Sequence, residues 1–178
     1  AVTLSELVDV PILIVHVSSR EAVEEIRRAQ GRGLRIYGET CPQYLFLTES
    51  DLDKPDFEGA KCVCSPPPRD KANQQVIWDG LCNGTFQIFS SDHSPTRFDD
   101  PEGKKLKGKE ASFRWIPNGI PGIETRMPLL FSEGVMKGRI DIQTFVSLTA
   151  TNPAKLYGIH PKKGTISIGA DADLVIWD

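Results

Sequence analysis

The stretch Thr85–Pro95, TFQIFSSDHSP, decides how the rest of the sequence is interpreted. Its apolar residues Phe86, Ile88 and Phe89 have high β-propensity and predict a buried strand. The strand ends at Asp92, which a histidine follows directly. In barrels of alternating strands and helices, polar side chains at the carboxyl ends of the strands carry the chemistry. A capped turn accounts equally well for the Asp-His-Ser-Pro sequence on its own.

A second stretch, Ile12–Ser19, repeats this layout, because a continuous apolar run reaches His16 and then two serines. Such a run is typical of a strand buried on both faces, as in parallel sheets. The other predicted elements are a helix over 20–30, a strand over 34–38, an extended run over 60–64 and a helix over 71–82 capped by Asp70. This alternation predicts an α/β fold built on a parallel sheet.

The composition is that of an ordinary globular protein, with 39% hydrophobic and 25% charged residues among 178. A formal net charge of −3, with no basic block outside one loop, gives no indication of a nucleic-acid partner. No apolar run approaches the length of a membrane span, so no membrane partner is expected. The four cysteines lack any Cys-x-x-Cys spacing, which argues against a zinc knuckle and predicts reduced thiols in the cytoplasm.

The sequence changes character after Pro95. Residues 97–111 interleave acids and lysines, which predicts a solvated loop rather than a polyanion site. Helices are predicted after Glu124, over 142–150 and over 154–157. Residues 164–177 predict two short strands about a Gly-Ala-Asp turn.

Several motifs, in this order, resemble one known family. They are VHVSS at 15–19, GETCPQY at 38–44, SDHSP at 91–95, PNGIPGIETR at 117–126, and NPAK at 152–155 with GADAD at 169–173. Together they are similar to the C-terminal portion of the dihydropyrimidinase and D-hydantoinase family within the amidohydrolase superfamily. Any one motif is weak, whereas the ordered set covers essentially the whole chain.

The resemblance implies a fold. Residues 1–160 would form the second half of a TIM-like (β/α)8 barrel, with strands six to eight and their helices. Residues 161–178 would begin a small C-terminal β-sandwich. The family also implies a homotetramer in the cytoplasm.

The resemblance further implies an activity, the zinc-dependent hydrolysis of dihydropyrimidines or hydantoins to N-carbamoyl amino acids in pyrimidine degradation. Matched residue by residue, His16 and Asp92 are metal ligands of a site with two zinc ions. Asp92 is also the catalytic group that moves a proton between water and the leaving ring nitrogen. Ser65 and Asn118 match residues that hold the small cyclic substrate through backbone groups.

The sequence departs from the family pattern in its histidines, of which it has three. Nothing in it matches the family's His-x-His pair, its carbamylated lysine or its fifth-strand histidine. We therefore expect the chain to be an incomplete part of the enzyme and inactive by itself. The alternatives are allantoinase, dihydroorotase, with Arg69 or Arg126 as a carboxylate-binding group, and a metal-free dihydropyrimidinase-related scaffold. The presence of both His16 and Asp92 favours an enzyme.

Overall fold

The computed structural model describes residues 1–177, and these residues form an α/β fold. The helices of its first half are α1 (Val2–Val8), α2 (Arg20–Gly31), α3 (Gln43–Phe46) and α4 (Lys71–Cys82). The strands are β1 (Ile12–Ile14), β2 (Ile36–Thr40) and β3 (Ile88–Phe89). They pair in parallel in the order β1-β2-β3, with Ile12 opposite Ile36 and Glu39 opposite Ile88. The parallel sheet predicted from the sequence is confirmed.

Local sequence explains both long helices. The Ser19 side chain accepts a hydrogen bond from the amide of Ala22 at 3.4 Å and caps α2. Asp70 caps α4 in the same way, accepting from the amides of Ala72 and Asn73 at 2.9 and 3.2 Å. The buried positions of α2 recur at helical spacing and face the sheet, namely Val23, Ile26 and Ala29.

Phe86 fills the space between α4 and the central strand. Its side chain is buried, and it leads directly into β3. A Cβ atom at Gly38 would lie 2.8 Å from the Phe86 ring, and one at Gly80 would lie 2.5 Å from it. Both positions therefore require glycine, because the ring packs directly against the backbone of β2 and α4.

The second half of the chain contains helices and long loops, and none of the three strands. Its α-helices are α5 (Arg126–Leu130), α6 (Ile142–Val146) and α7 (Asn152–Leu156). A π-helical turn follows each of the first two, at Phe131–Val135 and Ser147–Thr151. Short 3-10 helices lie at Glu49–Asp51 and Glu58–Cys62 in the first half and at Phe113–Trp115 in the second. The helices predicted over 142–150 and 154–157 are thus one continuous helix. The π turn before α7 accommodates Pro153, which has no amide to donate.

Several predicted elements differ from the structure. β1 stops at Ile14 and is only half-buried, because the backbone leaves the extended region at His16, where φ is 42°. The extended run predicted over 60–64 is wrong, since Glu58–Cys62 is a 3-10 helix in which the Ala60 amide donates to Phe57. The strand predicted over 34–38 lies two residues later, at Ile36–Thr40.

The two strands predicted near the C-terminus are also absent from the described residues 163–177. Asp171 donates its amide to the carbonyl of Lys162, and Ala170 donates to Ser167, so this segment folds back in turns. Asp178 lies outside the described residues. The assignment of 161–178 to a β-sandwich remains a prediction, as does the closure of the sheet into a barrel. In residues 1–177 no helix combines the length and apolarity that a membrane crossing requires.

Candidate metal and substrate site

His16 and Asp92 lie just beyond the carboxyl ends of the outer strands β1 and β3. Both have a positive φ, 42° at His16 and 45° at Asp92, although neither is glycine. Left-handed backbone at such residues is uncommon and is enriched at functional sites, where the surrounding structure enforces it. The His16 side chain is half-buried and that of Asp92 is exposed, so both are open to a ligand.

Main-chain bonds to β2 hold the two residues at the same edge of the sheet. The Val17 amide donates to the carbonyl of Glu39 at 2.9 Å, directly after His16. On the other side, the Ser90 amide donates to the carbonyl of Thr40 at 3.0 Å, two residues before Asp92. The end of β2 therefore fixes both neighbouring chain segments.

A partly buried chain of side-chain hydrogen bonds lies beside this edge. The Ser90 hydroxyl donates to Glu39 Oε1 at 2.7 Å, and Cys41 Sγ is 3.2 Å from Ser90 Oγ. Ser90 has a single hydroxyl hydrogen, and its hydrogen bond to Glu39 uses it. The Cys41 thiol is therefore the donor in the contact with Ser90. Burial raises the pKa of Cys41 to about 12, and the charges of Glu39 and Asp92 act in the same direction.

Tyr44 and Cys64 hold the loop that carries Ser65. The Tyr44 hydroxyl donates to the carbonyl of Pro66 at 3.0 Å, and the Cys64 thiol donates to the same oxygen at 3.4 Å. Burial raises the pKa of the Tyr44 hydroxyl and raises that of the Cys64 thiol to about 11. Both groups therefore remain protonated donors at neutral pH.

The structure brings the predicted substrate residues Ser65 and Asn118 together. The Ser65 hydroxyl donates to Asn118 Oδ1 at 3.3 Å, and both side chains are exposed. The neighbouring Gly119 amide donates to the carbonyl of Val63 at 3.0 Å. Within residues 1–177, the backbone N–H and C=O of Asn118 make no hydrogen bond, which leaves one donor and one acceptor free for a ligand.

His93 supports the same loop. Its Nδ1 accepts from the amides of Gly122 and Ile123 at 3.0 and 3.2 Å, and His93 forms an isolated parallel bridge with Ile120. Two N–H donors at Nδ1 place the proton of the neutral ring on Nε2. His93, which directly follows Asp92 in the sequence, thus holds the segment around Gly122 close to Asp92.

The donor types fit zinc, although the number of donors in the described chain does not complete a site. Imidazole and carboxylate are common zinc ligands, and catalytic zinc takes three protein groups. In residues 1–177, no cluster of three or more His, Cys, Asp or Glu side chains is arranged to hold a metal ion. His16 and Asp92 alone are thus fewer than the three protein groups that a catalytic zinc site requires.

Arg126 and a separate cavity are two further places where a substrate could be held. Arg126, a candidate carboxylate-binding group, donates from Nη1 to the carbonyl of Phe89 at 2.8 Å, and burial lowers its pKa. It therefore supports β3 rather than facing a substrate. A cavity of about 720 Å³ between α5, α6 and residues 163–177 contains none of the predicted site residues.

Sequence reasoning missed Lys104, which lies in the segment predicted to be solvated. It is 3% exposed, and its ammonium donates to three main-chain carbonyls. No local signal separates it from its exposed neighbours in the charged loop. Glu39 and Ser90 were also missed as a pair, because their contact joins two different strand ends.

Comparison with known proteins identifies the family of this chain. The family model described as amidohydrolase family matches residues 12–178. D-hydantoinases from Geobacillus stearothermophilus and Ralstonia pickettii are 52% and 50% identical over all 178 residues, which cover 37% and 38% of those proteins. The crystal structure of dihydropyrimidinase from Brevibacillus agri NCHU1002 is 51% identical, with a TM-score of 0.91, over 96% of this chain and 36% of that one.

The chain thus spans little more than a third of the length of the relatives it matches. The match nevertheless extends over nearly all of its own residues. The chain belongs to the amidohydrolase family, and its similarity is to the D-hydantoinases and dihydropyrimidinases of that family.

Proposed function

We propose that the natural full-length protein hydrolyses the cyclic amide bond of dihydropyrimidines or hydantoins and releases N-carbamoyl amino acids. The observation that carries this proposal is the pairing of His16 and Asp92, both with positive φ, beyond the ends of β1 and β3. In barrel enzymes this edge of the sheet carries the active site. The names of the relatives, D-hydantoinase and dihydropyrimidinase, support the reaction class.

In this proposal His16 and Asp92 hold zinc together with groups from the remainder of the full-length protein. When bound, zinc would lower the pKa of a water toward ~7 and would polarise the carbonyl under attack. The chain's own contribution is an imidazole and a carboxylate on backbone segments that main-chain hydrogen bonds to β2 hold in place. We propose two zinc ions, as in the family pattern.

Asp92 moves the proton. The attacking water oxygen bonds to the ring carbonyl carbon while the Asp92 carboxylate accepts a water proton. The ring carbon–nitrogen bond then breaks, and Asp92 returns that proton to the leaving nitrogen. The exposed position of Asp92 beside the substrate loops suits this exchange.

Ser65 and Asn118 bind the ring. A cyclic amide presents one N–H donor and one C=O acceptor on the same edge, and the free backbone N–H and C=O of Asn118 complement that pair. The Ser65 segment lies against the Asn118 side chain and closes the other side. The substrate would therefore be recognised mainly by main-chain groups.

The experiment is a turnover assay of the natural full-length protein with dihydrouracil, dihydrothymine, hydantoin, allantoin and dihydroorotate. We expect hydrolysis of the first three, loss of activity on treatment with a chelator, and recovery on addition of zinc. No turnover of any cyclic amide by metal-loaded protein would overturn the proposal in favour of a scaffold. Turnover of allantoin or dihydroorotate alone would move the protein to another amidohydrolase.

The proposal also covers the activity of the isolated chain and the assembly and location of the natural protein. Residues 1–178 contain two of the expected ligands, so the isolated chain should neither bind a zinc pair nor hydrolyse dihydrouracil. The natural protein is proposed to act in pyrimidine degradation as a cytoplasmic homotetramer. Light scattering of the purified protein tests its assembly, and fluorescence microscopy of a tagged form tests its location.

A further inference from the structure

Lys104 carries a positive charge into the interior of the charged loop. Its side chain is 3% exposed, whereas the following lysines are partly or fully exposed. Its Nζ donates to the carbonyl oxygens of Pro117 at 2.6 Å, Gly119 at 2.8 Å and Val63 at 3.2 Å. An ammonium has three N–H donors, so these neutral acceptors use all of them. Burial of a cation without a carboxylate partner is costly and requires such compensation.

The three acceptors belong to the two segments that carry the proposed substrate residues. Val63 lies two residues before Ser65, while Pro117 and Gly119 flank Asn118. The Gly119 amide also donates to Val63 and joins the same two segments. One ammonium therefore ties both substrate segments to residues 97–111.

The ammonium also sets the direction of the Asn118 amide. The bond between Pro117 and Asn118 is trans, so its N–H points opposite to its C=O. Because the Pro117 carbonyl points at Lys104, the Asn118 N–H points away from it. This is the N–H without a partner in residues 1–177.

A tight turn over residues 97–104 positions the Lys104 side chain. The Gly103 amide donates to Asp100, and the Lys104 amide donates to Arg97, both at 2.9 Å. A Cβ atom at Gly103 would lie 1.9 Å from the carbonyl oxygen of Arg97. Any larger residue at 103 must open this turn and displace Lys104.

We propose that Lys104 is a positioning residue that clamps the Ser65 and Asn118 segments and orients the Asn118 amide toward a cyclic amide substrate. The inference rests on the proposed function, since it assumes that the Asn118 amide donates a hydrogen bond to the ring of the substrate that is hydrolysed. It makes the charged loop a determinant of substrate affinity although none of its residues touches the ring.

The test compares Lys104→Met with Lys107→Met in the natural full-length protein, since Lys107 is an exposed lysine of the same loop. The clamp acts on groups that bind the ring in both ground and transition states. We therefore expect Lys104→Met to raise KM for dihydrouracil by roughly 10- to 100-fold, with kcat changed far less. Lys107→Met should leave both constants unchanged.

Amide hydrogen exchange provides a second readout that does not depend on turnover. Peptides covering residues 60–66 and 115–121 should exchange faster in Lys104→Met than in the natural protein, and Lys107→Met should match the natural protein. Gly103→Ala retains the ammonium but opens its turn, so it should accelerate exchange in the same two peptides. It serves as the second variant if Lys104→Met does not fold.

The outcomes separate the inference from the proposed function. Unchanged exchange in both peptides overturns the clamp, and faster exchange with unchanged KM overturns its role in substrate binding. A fall in kcat at constant KM also contradicts the inference. If the natural protein hydrolyses no cyclic amide, the proposed function fails and takes the substrate role with it, whereas the exchange result still decides the clamp.

Discussion

His16 and Asp92 share a left-handed backbone conformation on opposite sides of the central strand β2, with φ values of 42° and 45°. Each follows a parallel strand, and a main-chain hydrogen bond to Glu39 or Thr40 fixes the adjoining segment. Non-glycine residues in this region each cost on the order of 1–3 kcal/mol. Two such costs at one edge of the sheet are understandable if both side chains must face a common ligand.

Asp92→Asn tests the proton-transfer role. Asparagine tolerates the left-handed backbone and keeps the side-chain size, but it loses the charge and the ability to accept a proton. General acid–base catalysis contributes roughly 10²–10⁴-fold, so kcat for dihydrouracil should fall by at least that factor. The measurement is steady-state kinetics of the natural full-length protein.

The control for this substitution is Asp99→Asn, which changes an exposed carboxylate in the neighbouring loop. We expect its kinetics to be unaltered. Near-normal turnover by Asp92→Asn would remove Asp92 from the chemistry.

Ser65→Ala and Gly119→Ala separate side-chain from backbone binding. Ser65 loses only an exposed hydrogen bond to Asn118, so the kinetic loss should be less than about tenfold. Gly119 has a φ of 119°, and a Cβ there would lie 2.3 Å from the carbonyl oxygen of Ser94. Its alanine variant should displace Asn118 and cost roughly 10²-fold in kcat/KM.

Alanine is a better test at position 119 than proline. Gly119→Pro would remove the amide that donates to Val63, so it would disrupt the loop itself in addition to any contact with the substrate. Equal losses in Ser65→Ala and Gly119→Ala would show that the Ser65 side chain contributes as much as the loop backbone, which would contradict recognition mainly by main-chain groups.

Ser90→Ala tests the hydrogen bond from half-buried Ser90 to buried Glu39. The Glu39 carboxylate is 8% exposed and would lose the 2.7 Å donor. Hydrogen bonds to charged groups contribute about 1.5–3 kcal/mol, so the free energy of unfolding should fall by that amount. Urea denaturation measures it, with Ser50→Ala at an exposed position as the control. An unchanged transition midpoint in Ser90→Ala would argue against the bond.

Cysteine alkylation tests the burial of the thiols. Burial raises the pKa of Cys41 to about 12, so its thiol stays protonated at pH ~8, and its side chain is inaccessible. The raised pKa means that reactivity increases only as pH rises toward 12. We expect iodoacetamide to label exposed Cys82 well before Cys41, as measured by peptide mass spectrometry. Faster labelling of Cys41 would contradict the packing of β2.

Local sequence was sufficient to predict α2 and α4, because caps at Ser19 and Asp70 and the apolar periodicity act within one turn. The strand–helix alternation also predicted the parallel sheet. Local sequence failed at Glu58–Cys62, where short-range hydrogen bonds override an extended-looking sequence. The lysine clamp could not be predicted, because Lys104 meets carbonyls 13 to 41 residues away and nothing nearby marks it as buried.

Part of the site was likewise beyond local reasoning. The resemblance implied that Ser65 and Asn118 both bind the substrate, and the structure brings their side chains into contact. The connection from Cys41 through Ser90 to Glu39 joins the ends of β2 and β3, so it exists only after the sheet has formed. The roles of His16 and Asp92 remain predictions that the structure leaves to measurement.

Metal content tests the central claim most directly. Zinc per chain is measured by mass spectrometry in the natural full-length protein and in His16→Asn and Asp92→Asn, with His160→Asn in an exposed loop as the control. The account predicts stoichiometric zinc in the natural protein and in His160→Asn, and a clear loss in each of the other two, because removal of one ligand leaves an incomplete site. Undiminished zinc in both His16→Asn and Asp92→Asn would contradict the assignment of this sheet edge as a metal site.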